Sequence, residues 1–341
     1  MVAQLDSLYI RTSIHKTITR LLSYTCFEGR PLTTKGQWIN RLVLPFLALQ
    51  KRLPQMKQVY KPIFIVGTGR SGTTVLGATL SMHKHVGFLN EPKALWHAIY
   101  PLEDLVGSYS RGKAKYRLEA SDVTPSVYRA AHRLFGGYLA LTSSRRVVDK
   151  YPELVFRVPF VKALFPDAKF IFLVRNGWDT CQSIEGWSQR LGVGARNERH
   201  DWWGADNRKW NLLWEQVIRQ DTSIRGDLLN QQELENPLDM AALEWIVSMR
   251  EGLKMMEQFP HDSYMLRYED LVTDPRRSLA RLSAFCELPP DKRFLDYGEK
   301  RLRPALQKQG VEIHPAILPY FEETMAALGY DSMRAACSVR I

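Results

Sequence analysis

Two short segments carry residue types and spacings that suit anion chemistry. The first, Gly67-Thr68-Gly69-Arg70-Ser71-Gly72-Thr73-Thr74, follows the apolar run Ile63-Phe64-Ile65-Val66, and Val75, Leu76 and Leu80 continue from it at helical spacing. A glycine-rich turn between a strand and a helix gathers backbone N–H groups and the positive helix end at one point, which cradles an anion. Gly67 and Gly72 have the separation of the nucleotide-triphosphate loop GxxxxGK[ST], but Thr73 stands at the lysine position and Thr74 at the hydroxyl position. Without that lysine the terminal phosphoryl of ATP or GTP loses its main cation. What the loop retains, Arg70 and the hydroxyls of Ser71, Thr73 and Thr74, suits a shorter anion. In the second segment, Phe170–Val174 runs into Arg175-Asn176-Gly177-Trp178-Asp179, and Ser183 follows Arg175 by eight residues. A strand-end arginine with a serine two helical turns on can bind a second phosphate, although Arg175 alone would serve equally in a structural ion pair. Together the two segments suggest a ligand with two separated anionic groups.

Such loops need a scaffold, and the pattern predicts one. Continuous β-branched and aromatic runs at 63–66, Val86–Leu89, Val147–Val148, Phe170–Val174 and Tyr264–Leu266 read as strands buried on both faces. Helical patterns lie between them, as in Leu154, Val158, Val161 and Phe165, or Ala242, Ile246, Met249, Leu253 and Met256. Alternating strand and helix predicts an α/β fold, three layers α/β/α around a central parallel sheet of the P-loop NTPase-like kind, with ligands at the carboxyl ends of the strands. Residues 185–238 interrupt the alternation with Trp187, Trp202, Trp203, Trp210 and Trp214. This stretch reads as an acceptor-side lid; a local tryptophan cluster and an acceptor-binding wall fit it about equally.

The 341 residues have an ordinary globular composition, 45% hydrophobic and 24% charged. The four cysteines are scattered without CxxC spacing, so neither a zinc site nor a disulfide framework is indicated, and no apolar run is long enough to span a bilayer. The net charge of +11 is uneven: residues 1–61 hold ten basic residues against Asp6 and Glu28, and so carry +8 of it. This N-terminal arm reads as two basic amphipathic pieces, one with Ile10, Ile14, Ile18, Leu21 and Leu22, the other with Ile39, Leu42, Val43 and Phe46. A helical arm packed on the main domain, a membrane-surface helix and a transit peptide would each show this pattern. The expected division is therefore an arm over 1–61 and a catalytic domain over 62–341. The expected location is cytoplasmic, membrane-associated through the arm, or organellar if the arm is a transit segment.

In their order and spacing the two anion segments resemble those of the sulfotransferases that use 3′-phosphoadenosine 5′-phosphosulfate, PAPS. The resemblance runs from about Pro62 to Tyr268 and includes Phe165-Pro166-Asp167-Ala168-Lys169. It implies that Arg70 to Thr74 (Arg70, Ser71, Gly72, Thr73 and Thr74) grip the 5′-phosphosulfate and that Arg175 and Ser183 bind the 3′-phosphate. The chain looks closer to the tyrosylprotein and carbohydrate enzymes than to the cytosolic phenol and steroid ones. It has arginine in the loop, and Asp149-Lys150-Tyr151-Pro152 where the latter carry a catalytic histidine. By the same resemblance Glu91, twenty-one residues after Arg70, is the catalytic base, Lys150 assists the sulfuryl group, and Tyr268 meets the adenine. The C-terminal loop that completes the 3′-phosphate site lacks its usual basic-glycine form; Arg303 and Lys308 are its nearest candidates.

The chemistry expected is in-line sulfuryl transfer to an acceptor hydroxyl, an O-sulfotransferase reaction, with Glu91 as general base and Arg70 and Lys150 stabilising the leaving phosphate. Glu91 would serve equally as an ion-pair partner, Lys150 as a solvated strand-end charge and Tyr268 as a core aromatic. His83, His85 and His97 flank Glu91 and read as surface or cap residues. No metal is demanded. The expected partners are PAPS, a hydroxylated acceptor (a carbohydrate or glycolipid) and, through the arm, a membrane, with no nucleic acid. Two alternatives stand beside this reading: a P-loop kinase-like phosphotransferase, for which Asp149 is the available metal-site acid, and a non-catalytic basic protein binding membrane or nucleic acid.

Overall fold

The computed structural model describes residues 4–31, 36–191, 193–195, 198–304 and 312–330. The strands are β1 (Ile63–Gly67), β2 (Val86–Asn90), β3 (Arg146–Lys150), β4 (Lys169–Val174), β5 (Val193–Ala195), β6 (Glu198–Asp201), β7 (Gly204–Ala205) and β8 (Ser263–Arg267). The α-helices are α1 (Ser7–Thr12), α2 (Ile14–Cys26), α3 (Asn40–Gln50), α4 (Thr73–Leu80), α5 (Lys93–Ile99), α6 (Pro125–Leu141) and α7 (Val158–Leu164). They continue with α8 (Gly177–Leu191), α9 (Arg208–Leu213), α10 (Pro237–Gln258), α11 (Tyr268–Thr273), α12 (Pro275–Phe285), α13 (Lys292–Arg301) and α14 (Leu318–Ala327).

Five strands form one sheet in the order β2-β3-β1-β4-β8, every pair parallel. β5, β6 and β7 form a separate small antiparallel sheet. Side-chain alternation explains why the main strands read as unbroken apolar runs. Ile63, Ile65, Val148, Ile171 and Leu173 pack on one face with Leu76, Leu80, Leu279 and Phe294, from α4, α12 and α13. Phe64, Val66, Val147, Phe170 and Phe172 pack on the other with Trp96, Leu134, Phe160 and Ile246, from α5, α6, α7 and α10. Covering both faces removes each such side chain from water, worth about 1.5–3 kcal/mol apiece before chain entropy is counted. The result is the three-layer α/β/α architecture. Local chemistry starts its long helices: Thr124 and Asn236 cap α6 and α10 with side-chain oxygens, each just ahead of a proline whose missing N–H needs no partner there.

The tryptophans of 185–238 divide. Trp203, Trp210 and Trp214 are 2%, 0% and 4% exposed and belong to the main core. Only Trp187 and Trp202 of the five remain partly open, their rings 5.5 Å apart. His83 is likewise buried rather than at the surface, its Nε2 2.8 Å from the Pro289 carbonyl oxygen.

Candidate active site

β1 and β4 are neighbours in register from Ile63↔Lys169 to Gly67↔Leu173, so the two anion segments leave the sheet side by side at its carboxyl edge. There Arg70 Nε donates to Ser183 Oγ at 3.2 Å, and Arg175 Nη1 donates to the Arg70 carbonyl at 3.4 Å. Arg175 also pairs with Asp179 one turn along α8, at 3.5 Å, and its guanidinium lies 4.7 Å from the centre of the Tyr268 ring. Tyr268 in turn presses on the loop: a Cβ at Gly72 would lie 2.4 Å from its Cδ2. Gly72 has φ +93°, so glycine is required here both by backbone conformation and by space. On the other side of the loop Trp202 crowds Gly69, where a Cβ would come within 2.3 Å of the indole.

This cleft has unmet polar capacity. Thr68 Oγ1, Ser71 Oγ and Arg175 Nε are buried with no hydrogen-bond partner among the described residues. Buried polar atoms are normally satisfied, so orphans gathered at one glycine cradle fit a polar anionic ligand. The electrostatics agree. Desolvation in the cleft and the nearby Arg190 hold the Arg70 guanidinium below its ordinary value, with Glu91 acting in the opposite sense.

Glu91 follows β2 directly. Its N–H donates to the Lys150 carbonyl at 2.7 Å, its own carbonyl accepts from Lys93 N at 2.7 Å, and its carboxylate is hydrogen-bonded to the Lys150 ammonium. The β2–β3 register, Asn90↔Lys150, produces this neighbourhood. Lys150 is 2% exposed and Glu91 38%, so the pair is open on the carboxylate side. Arg70 and Glu91 both have left-handed backbones, φ 70° and 48°. For non-glycine residues such conformations cost about 1–3 kcal/mol each, and they cluster where function requires a fixed geometry.

Sequence reasoning missed what stands behind Glu91. Lys93 Nζ lies 3.9 Å from Glu91 and 3.8 Å from Glu153; Lys209 Nζ lies 3.5 Å from Glu153 and 2.5 Å from Glu244; Glu244 accepts from Trp202 Nε1 at 2.6 Å. Charges of alternating sign therefore run from Lys150 through Glu91, Lys93, Glu153 and Lys209 to Glu244, and end on the indole that crowds Gly69. Burial raises the Glu91 pKa, but Lys150 and Lys93 outweigh it and hold the carboxyl below its usual value. Burial likewise opposes ionisation of Glu153, yet Lys93 and Lys209 bring it down to about 2. Lys209, fully enclosed, is raised because Glu244 and Glu153 overcome its desolvation. Lys93, two residues from Glu91, was the one member with a local signal; Glu153, Lys209 and Glu244 had none.

Other candidates lie elsewhere. Asp149 is completely buried, accepts from Trp96 Nε1 at 2.8 Å, and is pushed well above the carboxylate range by burial. It alternates with Lys150 along β3 and points into the core layer of α5, so it is no metal-site acid for a kinase. His97 stacks near Tyr109, 5.3 Å between rings. Arg303 Nη1 donates back to the Glu299 carbonyl at 3.1 Å, and Lys308 lies outside the described residues. Near Arg175 the C-terminal region instead contributes Tyr330, whose hydroxyl donates to Glu269 at 2.8 Å while the other Glu269 oxygen accepts from Asn176 N at 3.1 Å.

Comparison with known proteins gives this geometry a context. Residues 62–220 match the model described as "Sulfotransferase family". A protein-tyrosine sulfotransferase of Drosophila melanogaster is 28% identical over 217 residues, covering 62% of this chain and 41% of its own. Protein-tyrosine sulfotransferase A of Caenorhabditis elegans is 23% identical over 240 residues, covering 69% and 52%. The chain thus spans only about half the length, or less, of these relatives. Among solved structures, a sulfotransferase of Mycobacterium avium aligns over 96% of this chain and 97% of its own with a TM-score of 0.50 at 14% identity, a likeness of fold. The strand–loop–helix that holds Arg70 and the strand that delivers Arg175 both fall inside the matched segment, so over residues 62–220 the chain is similar to the sulfotransferase family.

Proposed function

We propose that the protein is a PAPS-dependent O-sulfotransferase with Glu91 as general base. The observation that carries the reading is the contact between the two anion segments, Arg70 Nε to Ser183 Oγ at 3.2 Å, beside the orphaned hydroxyls of Thr68 and Ser71. A nucleotide with phosphates at both ends fits such paired sites. The loop Arg70, Ser71, Gly72, Thr73 and Thr74 would hold its 5′ end, Arg175 and Ser183 its 3′-phosphate, and Tyr268 its base. PAPS, when bound, supplies a sulfuryl group on a phosphate leaving group.

The chain's own residues supply the rest. Glu91 is ionised at neutral pH and open on one side, so it can take the proton of an acceptor hydroxyl, a step worth roughly 10²–10⁴ in rate. Lys150 and Arg70 place fixed positive charge where negative charge grows, without reorganisation at the moment of reaction. The in-line geometry belongs to this proposal. Trp187 and Trp202, the two tryptophans of residues 185–238 that stay partly open, support a carbohydrate or glycolipid hydroxyl as acceptor; a tyrosyl hydroxyl is the competing choice, from the names of the relatives. The proposed partners also include a membrane, reached through residues 1–61, while nucleic acid is not among them.

Thermal melting with added adenosine 3′,5′-bisphosphate or Mg-ATP tests the nucleotide. The bisphosphate should stabilise the protein and ATP should not; the reverse pattern would overturn the reading. Sulfate transfer to sugar and tyrosyl-peptide acceptors then decides between the two hydroxyl classes.

A further inference from the structure

Helix α2 is mounted with its polar face inward. Lys16, Arg20 and Ser23 of α2 are 5%, 1% and 1% exposed. Lys16 Nζ donates to the Val86 carbonyl at 2.7 Å, and Arg20 Nη1 to the Phe88 carbonyl at 3.3 Å. Arg20 also forks onto Glu28 at 2.5 and 2.7 Å, and Glu28 accepts from Asn90 N at 2.7 Å. Val86, Phe88 and Asn90 belong to β2, an edge of the sheet. An edge strand offers unpaired backbone groups, and the arm meets them with charged side chains.

The apolar row of the same helix consequently faces water. Ile14 and Ile18 are 68% and 52% exposed, and Leu21 40%. The neighbouring segment buries Val43 and Leu47 in the core but leaves Trp38, Leu42 and Leu49 66%, 63% and 61% exposed beside that row. Isolated exposed apolar residues need no explanation, but rows on two helices that touch each other do. The charges around the rows have one sign. Arg11, Arg41 and Arg52 are exposed, Glu28 is buried, and Asp6 caps α1 and pairs with Arg301 at 3.2 Å. Among the described residues of the arm there is no exposed carboxylate.

We infer that this face seats on an anionic lipid bilayer, inserting Ile14, Ile18, Trp38 and Leu42 among the headgroups and setting Arg11, Arg41 and Arg52 against lipid phosphates. The inference gives the membrane contact proposed for residues 1–61 a face and a chemistry, and it does not depend on the transfer reaction. A second copy of the chain fits less well. A two-fold contact would bring arginines against arginines with no carboxylate to receive them. Lipid phosphates offer negative charge across a whole surface. Because Lys16 and Arg20 fix α2 to β2, the face is preformed, and docking requires no folding of the helix.

Vesicle flotation of the full chain tests this, with phosphatidylcholine vesicles lacking or containing phosphatidylserine. The protein should float with the anionic vesicles, less so at high salt, with no gain in helical circular dichroism. The double variant Ile14→Glu/Ile18→Glu should bind at least about tenfold more weakly at a nearly unchanged melting temperature, because both side chains are more than half exposed and lie outside the core. Absence of flotation by the folded wild type would overturn the inference, as would binding that the double variant retains. A dimer that the double variant splits, without vesicle binding, would assign the face to a second copy and also overturn it.

Discussion

The Glu91 carboxylate is paired with the Lys150 ammonium, and the Glu91 N–H also donates to the Lys150 carbonyl at 2.7 Å. One residue of β3 thus fixes both the backbone and the charge of the proposed base. The double attachment explains how Glu91 holds a left-handed backbone at φ 48° near Arg70 of the glycine-rich loop.

Replacing Glu91 by Gln keeps the shape and removes the basic oxygen. Turnover should fall by roughly 10²–10⁴, while adenosine 3′,5′-bisphosphate still stabilises the protein in thermal melting. Unchanged turnover would remove Glu91 from the role of base.

The pH dependence follows from the two lysines. Glu91 is lowered below its ordinary value despite burial, so it stays ionised as acid is added, and the acidic limb of the rate profile should lie below the usual glutamate range. Lys93→Gln removes one of the charges that hold it down, so that limb should move to higher pH. A profile that does not move would mean that Lys93 does not act on Glu91.

Glu153 should matter for stability more than for turnover. It sits between Lys93 and Lys209 and is lowered to about 2. A depressed carboxylate contributes stability above its unfolded value, and that contribution is lost as pH falls through the folded one. Glu153→Gln should therefore cost about 3–5 kcal/mol at neutral pH, the range for breaking a buried pair. The difference from wild type should shrink toward acid, as denaturant unfolding at two pH values would reveal.

Gly69→Ala tests the crowding by Trp202. The added methyl meets the indole at 2.3 Å, an overpacking that should cost about 1–3 kcal/mol and weaken bisphosphate binding. Combining it with Trp202→Ala should recover part of the loss, since the obstacle is then gone. Two losses that simply add would place the effect in the loop backbone instead.

Arg175→Met separates the two ends of the nucleotide. Affinity for adenosine 3′,5′-bisphosphate should drop roughly 10–100-fold, the worth of a charge-assisted hydrogen bond. Affinity for adenosine 5′-phosphosulfate, which lacks the 3′-phosphate, should change little. Equal losses by calorimetry would argue that Arg175 acts only through the loop.

The sequence by itself determined the scaffold and both anion segments. Unbroken apolar strands signal burial on two faces, and the glycines and arginines of residues 67–74 and 175–183 mark the two segments that meet at the sheet's carboxyl edge. It also located the surplus charge in residues 1–61. Only the tertiary structure decided the rest. The chain of charges behind Glu91 draws on residues from 91 to 244, and no local pattern joins Glu153 or Lys209 to a carboxylate far away in sequence. The five tryptophans of residues 185–238 look alike as letters, yet three fill the core and two remain partly open, because packing depends on which neighbours each meets. The arm gives the plainest case. Helical periodicity shows that α2 has an apolar and a basic side but cannot say which faces inward. The open carbonyls of the edge strand β2 decide it, because they need donors that Lys16 and Arg20 supply and isoleucine does not.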